Sequence, residues 1–204
     1  MSAPTEPASV EIRPASPADA AALAALHAET LPGDVSDFTP LGARVVRRFY
    51  ANAIARGVAR VWVAPGPGGS VAGFVMSTRD IAALFPRALL AGPGDVLSFV
   101  LMANPFGLAR AALAKLTSGT ATVAAVPELV YLAVSPNARG RGLGAALIAA
   151  VDQGFRADGI DVYELNVHAA NAAAVKLYLA SGFEIARRWA KSGHEMYAMR
   201  RRLG

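Results

Sequence analysis

The sequence predicts an α/β fold, a mixed central sheet flanked by helices. Two strand-then-helix units near the C-terminal end carry that expectation. Glu128 to Val134 is apolar nearly throughout, as a central strand covered on both faces should be, and it runs into a glycine-rich turn and an alanine-rich helix. Asp161 to Val167 is a second strand that leads into a second helical stripe. Short strands joined by Gly/Pro turns closer to the N-terminus supply the rest of the sheet.

The elements follow in order. Val10 to Arg13 alternates apolar and polar residues and stops at Pro14, a short first strand. Ser16-Pro17 offers an N-cap and an N1 proline, with Asp19 in the first turn, for a helix through Leu23, Leu26 and His27 that ends at Leu31 to Asp34. A second helix follows Thr39-Pro40 and runs through Val45 and Phe49 toward Arg56-Gly57. Arg60–Ala64 and Val71–Ser77 are strand-like, and Pro65 to Ser70 joins them as a hairpin turn. From about 80 to 123, Pro86, Gly92-Pro93-Gly94 and Asn104-Pro105 cut an apolar stretch into short helical pieces, an insertion too small for a core of its own. After the second unit come two last strands, Phe183 to Trp189 and His194 to Met199. One domain is expected over 8–204, with residues 1–7 a flexible N-terminus.

Composition narrows the function. Hydrophobic residues are 54% and charged residues 17% of the 204, enough apolar surface to offset the entropy of ordering, which excludes a disordered chain. There are no cysteines, so a disulfide framework is excluded, and three scattered histidines make a metal centre a poor expectation. Twenty Lys and Arg against fifteen Asp and Glu leave +5, a field that suits an anionic small molecule as well as nucleic acid. The apolar run from Val96 to Ala103 is broken by Asn104-Pro105, far short of the ~20 residues of a spanning helix, so no membrane span is expected. Met1 to Pro17 has no apolar signal core, and the default location is cytoplasmic.

Two motifs carry chemistry. After the Glu128–Val134 strand come Arg139, Gly140, Arg141, Gly142, Leu143, Gly144 and Ala145, opening a helix. Glycines let the backbone approach an anion, the uncapped N–H groups of a first helical turn point at it, and two arginines stand alongside, a combination that suits a pyrophosphate. The loop matches neither a Walker loop, which needs Gly-Lys-Ser/Thr, nor the Rossmann spacing, in which the third glycine comes one residue later. The second motif is Leu165, Val167, Asn171, Ala174, Leu177, Tyr178, Gly182 and Phe183.

Together, in this order and separation, the motifs resemble the GCN5-related N-acetyltransferase (GNAT) family, strongly over the last third of the chain. The resemblance implies a sheet splayed at its middle, the acyl-CoA N-acyltransferase fold, with acetyl-CoA as co-substrate and an amine as acceptor. The backbone of Leu132, Ala133 and Val134 would pair with the pantetheine arm like an added strand. Amides from Arg139 through Ala145 would hold the pyrophosphate, and Asn171 would bond the cofactor arm. Tyr178 stands where a phenol faces the thioester sulfur, and Glu128 where a glutamate works as base through water.

The chemistry fits those positions. An amine attacks only when neutral, so a base must take its proton, and a phenol of pKa about 10 can protonate a departing thiolate. A backbone amide near Val134 would stabilise the oxyanion. Both side chains have a plainer alternative: Tyr178 as a buried-stripe aromatic, Glu128 as a solvated strand end. Asn166 shares one face of its strand with Glu164 and His168, either looking into the acceptor cleft or pairing within the core. His27 is expected on a helix surface, His168 in a loop and His194 in a final strand, none catalytic; Arg200 to Arg202 is expected to be a solvated basic end with no nucleic acid partner. Acceptor choice would come from residues 31–38, with Asp34, Asp37 and Phe38 as contacts, from the 191–194 turn, and from the insertion, which would roof the cleft, form a homodimer face or touch a lipid-like or carrier-bound substrate. The expected activity is acetyl transfer to a primary amine of a small molecule such as an amino sugar or amino acid. Acetylation of a protein N-terminus or lysine, and a non-catalytic acyl-CoA-binding module, are the alternatives.

Overall fold

The computed structural model describes residues 11–31, 36, 39–89, 126–191 and 193–204. Seven strands form one sheet in the order β1-β2-β3-β4-β5-β7-β6: β1 (Arg13–Pro14), β2 (Arg60–Pro65), β3 (Val71–Thr78), β4 (Glu128–Val134), β5 (Val162–His168), β6 (Glu184–Lys191) and β7 (His194–Arg202). Neighbours are antiparallel except β4 and β5, which run parallel. The mixed, helix-flanked sheet is the expected architecture.

The first strand is shifted from its sequence expectation. It pairs Arg13 with Val63 and Pro14 with Trp62, so Pro14 lies inside it. A proline is tolerated there because β1 is an edge strand, where one N–H has no ladder to serve. Asp19 closes the following turn by accepting from the Ser16 N–H at 2.7 Å and pairing with Arg13, and α1 (Ala20–Thr30) starts after it.

Helices α1, α2 (Ala43–Ala55) and α3 (Ile81–Leu89) cover one face of the sheet. In α2, Val45, Val46, Phe49, Tyr50 and Ala53 recur at helical spacing and are all buried. Helix α3 is the described part of the expected insertion. Pro86 does not break it but lies within it, while Leu84, Ala88 and Leu89 face inward and Asn52 donates to the Ala88 carbonyl at 2.8 Å. Residues 90–123 of the insertion, and residues 1–7, lie outside the described residues.

Helices α4 (Leu143–Ala157) and α5 (Ala172–Ala180) cover the other face. Alternation along the strands sends Phe74 and Met76 to the first layer and Val75 to the second, and Tyr163, Leu165 and Val167 also to the second. Leu179 is 48% exposed, because the buried stripe of α5 runs through Ala174, Leu177 and Tyr178 and turns Leu179 out.

Arg200 to Arg202 is not a loose tail. The three arginines lie in β7, where Arg200 pairs with Glu164 at 2.7 Å and Arg201 with buried Asp152 at 2.6 Å. Tyr163 donates to the same Asp152 carboxylate at 2.7 Å, and Arg201 also donates to the Ser181 carbonyl, so one network ties α4, β5, β7 and the end of α5. His27 is likewise not on a surface. It is fully buried between α1 and α2, 2.7 Å from the Tyr50 hydroxyl and 3.0 Å from Ser36 Oγ, and burial lowers its pKa to about 4. Its position on the inner stripe of an alanine-rich helix is what buries it.

Candidate active site

The site begins where β4 and β5 part. They pair at one position, Glu128 with Glu164, backed by the Glu164 N–H donating to the Pro127 carbonyl at 2.9 Å. Beyond that point β4 continues against β3 alone. A bulge on β4 at Val130, where the register skips from Leu129 to Tyr131, bends the strand away. Ser135 donates to the Ala72 carbonyl, which fixes the alternation: Ala133 bonds toward β3, whereas the N–H and C=O groups of Leu132 and Val134 face the gap. Arg139 Nε takes up the Val134 carbonyl at 3.2 Å.

At the open end of the gap, Gly140 and Gly142 both adopt φ +75°, a left-handed conformation that favours glycine, and a Cβ on either would meet nothing within 4 Å. Gly142 is the N-cap of α4 and brings no side chain to cap it, so the N–H groups of Leu143, Gly144 and Ala145 open the helix without an intrahelical partner. Ala146 is the first residue to bond back, to the Gly142 carbonyl. Main-chain N–H groups in this arrangement are chemically suited to an anion.

A cleft of about 600 Å³ brings together Leu132, Ala133, Val134, Arg139, Gly140, Gly142, Leu143, Gly144, Ala145 and Asn171. Arg141 turns instead to a neighbouring pocket with Pro65, Ser70 and Asn137. Leu31, in the segment expected to set acceptor choice, lines the same cleft, and sequence reasoning missed Thr30, Ala138 and Ala173 on it. Thr30 comes from the end of α1, and only the placement of α1 against the sheet could have revealed it. Asn171 caps α5, its Oδ1 accepting from the Ala174 N–H at 3.2 Å, which leaves its NH₂ for another partner.

Tyr178 and Glu128 are not on the cleft lining. Tyr178 is 7% exposed beneath it, its ring against Phe183, with burial raising its pKa to about 12 and no hydrogen bond to its hydroxyl among the described residues. Glu128 lies at the closed end of the gap on the opposite side of the sheet from α4. Burial raises its pKa, the hydrogen bond from Asn166 Nδ2 at 3.1 Å lowers it, and the nearby Glu164 raises it. Asn166 therefore belongs to the open face, not the core, and Trp189 Nε1 donates to its Oδ1 at 3.3 Å. His168 and His194 sit at strand ends, rings 5.4 Å apart. Asp34, Asp37 and Phe38 lie outside the described residues. Among the described residues no group of three His, Asp or Glu is placed to hold a metal, and no helix is long and apolar enough to cross a membrane.

The comparisons with known proteins agree with this geometry. Residues 99–183 match the model of the acetyltransferase (GNAT) family. A stretch of 60 residues is 48% identical to a mycothiol acetyltransferase of Beutenbergia cavernae, covering 29% of this chain and 20% of that protein. The chain thus matches about a fifth of that relative's length. Among solved structures, ribosomal-protein-alanine N-acetyltransferase from Brucella melitensis superposes with a TM-score of 0.61 at 22% identity, over 95% of this chain and 99% of that one. PaiA N-acetyltransferase from Thermoplasma acidophilum, solved with coenzyme A, gives 0.61 at 14% identity over 95% and 99%. The fold is shared along nearly the whole chain, and the match to the acetyltransferase (GNAT) family model falls on residues 99–183, the segment that holds the glycine turn and most of the cleft lining.

Proposed function

We propose that the protein is a cytoplasmic acetyl-CoA-dependent N-acetyltransferase that passes the acetyl group directly to a primary amine of a small molecule. The observation that carries this is the row of amides at Leu143 to Ala145, without a hydrogen-bond partner among the described residues, opening onto a cleft whose far wall is the free edge of β4. Gly140 and Gly142 leave room for phosphate oxygens, Arg139 adds charge, and the Leu132 and Val134 main chain offers an edge for an amide-bearing arm. These residues fit acetyl-CoA, which supplies an activated acetyl thioester when bound.

The chain's own groups would do the rest. Glu128, whose raised pKa leaves it a better base than an ordinary carboxylate, takes the proton from the ammonium form of the acceptor, directly or through a water. A C–N bond then forms as the C–S bond breaks. Tyr178 gives its hydroxyl proton to the departing sulfur and regains one from the nitrogen, so that proton count balances. Burial, which pushes the phenol up, keeps it protonated until it is needed. The Val134 N–H faces the gap and is available to a developing oxyanion.

A protein N-terminus as acceptor is the second reading, favoured by the similarity to a structure named ribosomal-protein-alanine N-acetyltransferase. The deciding experiment measures free thiol released from acetyl-CoA against a panel of amino sugars, amino acids, amines and N-terminal peptides. Release that depends on a small amine supports the proposal, and release confined to peptides supports the second reading. Calorimetric binding of acetyl-CoA with no acceptor-dependent release would make the protein a binding module.

A further inference from the structure

Glu128 and Glu164 oppose each other across the parallel pair, yet their surroundings differ. Glu164 is held by Arg200, whose Nε and NH2 lie 2.8 and 2.7 Å from the same carboxylate oxygen. Glu128 faces no such cation among the described residues. Its partner on β3 is the uncharged Thr78, and its side-chain hydrogen bond comes from the neutral amide of Asn166. One carboxylate thus has a cationic partner and the other a neutral amide.

The Asn166 amide is not free to turn. Its Oδ1 accepts from the Trp189 indole, which leaves Nδ2 directed at Glu128. Flipped over, it would set an oxygen against the carboxylate and an NH₂ against an indole N–H, two repulsive contacts in place of two bonds. The indole reaches Asn166 from β6 across β7, where the residue paired with Asn166 is Ala198, a methyl that leaves the path open. Three side chains from β4, β5 and β6 are thereby joined in one line.

Resting on the acetyl-transfer assignment above, the geometry points to Asn166 as the positioning residue of Glu128, with Trp189 fixing Asn166, so that indole, amide and carboxylate act as one unit on the acceptor's proton. Removing the amide takes away the donor that favours the Glu128 anion, while burial and the Glu164 charge remain.

The test follows the Glu128 carboxyl itself by ¹³C NMR in glutamate-labelled protein, assigned with Glu128→Gln. The expected result is a titration midpoint that moves upward in Asn166→Ala and in Trp189→Phe, with the double variant no further displaced than Asn166→Ala alone. In parallel, kcat/KM near pH 7 should fall roughly tenfold in Asn166→Ala, its acidic limb moving with the titration, while KM for acetyl-CoA stays put. An unmoved Glu128 titration in Asn166→Ala, or additive effects of the two substitutions, would overturn the proposal alone. Full activity of Glu128→Gln with an unmoved acidic limb would overturn the role of Glu128 as base, and this proposal with it.

Discussion

Gly144 and Leu177 meet where only a hydrogen fits: a Cβ on Gly144 would come within 2.8 Å of Leu177 Cδ2. Helices α4 and α5 approach through this contact, and Leu177 also lines the cleft. In Gly144→Ala the leucine must swing, and the open direction is into the cleft. Folding stability should change by less than about 1 kcal/mol, since alanine favours the helix, while acetyl-CoA affinity falls roughly tenfold. Gly142→Asp is the contrast, because space beside Gly142 is open but its φ is +75°. It should cost about 1–2 kcal/mol in denaturant titration and lose affinity about a hundredfold or more, as a carboxylate enters the phosphate cradle. Calorimetry with acetyl-CoA reads both; tight binding by Gly142→Asp would place the phosphates elsewhere.

Tyr178→Phe keeps the ring against Phe183 and removes a hydroxyl that bonds to none of the described residues. Stability and acetyl-CoA affinity should hold, and kcat should fall on the order of a hundredfold. Unchanged turnover in steady-state assays would remove the phenol from the acid role.

His27 predicts a stability limb with a definite sign. Its folded pKa is about 4 against an ordinary 6.5, so between those values the unfolded chain binds a proton that the folded one refuses. Stability therefore rises with pH across that window, and on the order of 3 kcal/mol is lost as pH falls through it. Urea midpoints from pH 7 to pH 4 should show the fall, and His27→Gln, which retains hydrogen bonding toward Tyr50 and Ser36, should flatten it.

Asp152 accepts from Arg201 and Tyr163 in a buried network. Asp152→Ala leaves the guanidinium and the phenol without their shared partner, and chemical denaturation should register a loss of about 3 kcal/mol or more. Tyr163→Phe, which removes one donor and leaves the ion pair, should cost nearer 1 kcal/mol.

Residue order alone determined a good deal. The strand and helix sequence of the last third, the glycine loop ahead of α4, the capping Asn171 and the hairpin between β2 and β3 are local: each depends on spacing, backbone conformation or polar caps within a few residues. The splayed sheet was legible only through the family resemblance, since nothing in the strand compositions announces a single bridge between β4 and β5.

Tertiary structure decided everything that depends on distant partners. Whether His27 is exposed turns on α2 and Ser36 closing over it, and whether Arg201 is solvated turns on Asp152 lying 49 positions away. The line from Trp189 through Asn166 to Glu128 crosses three strands, and its geometry exists only once register and pleat are set. Periodicity reports which face a residue shares with its neighbours in sequence; what stands across from that face is set by packing, which is why Glu164 meets Arg200 and Glu128 meets Asn166.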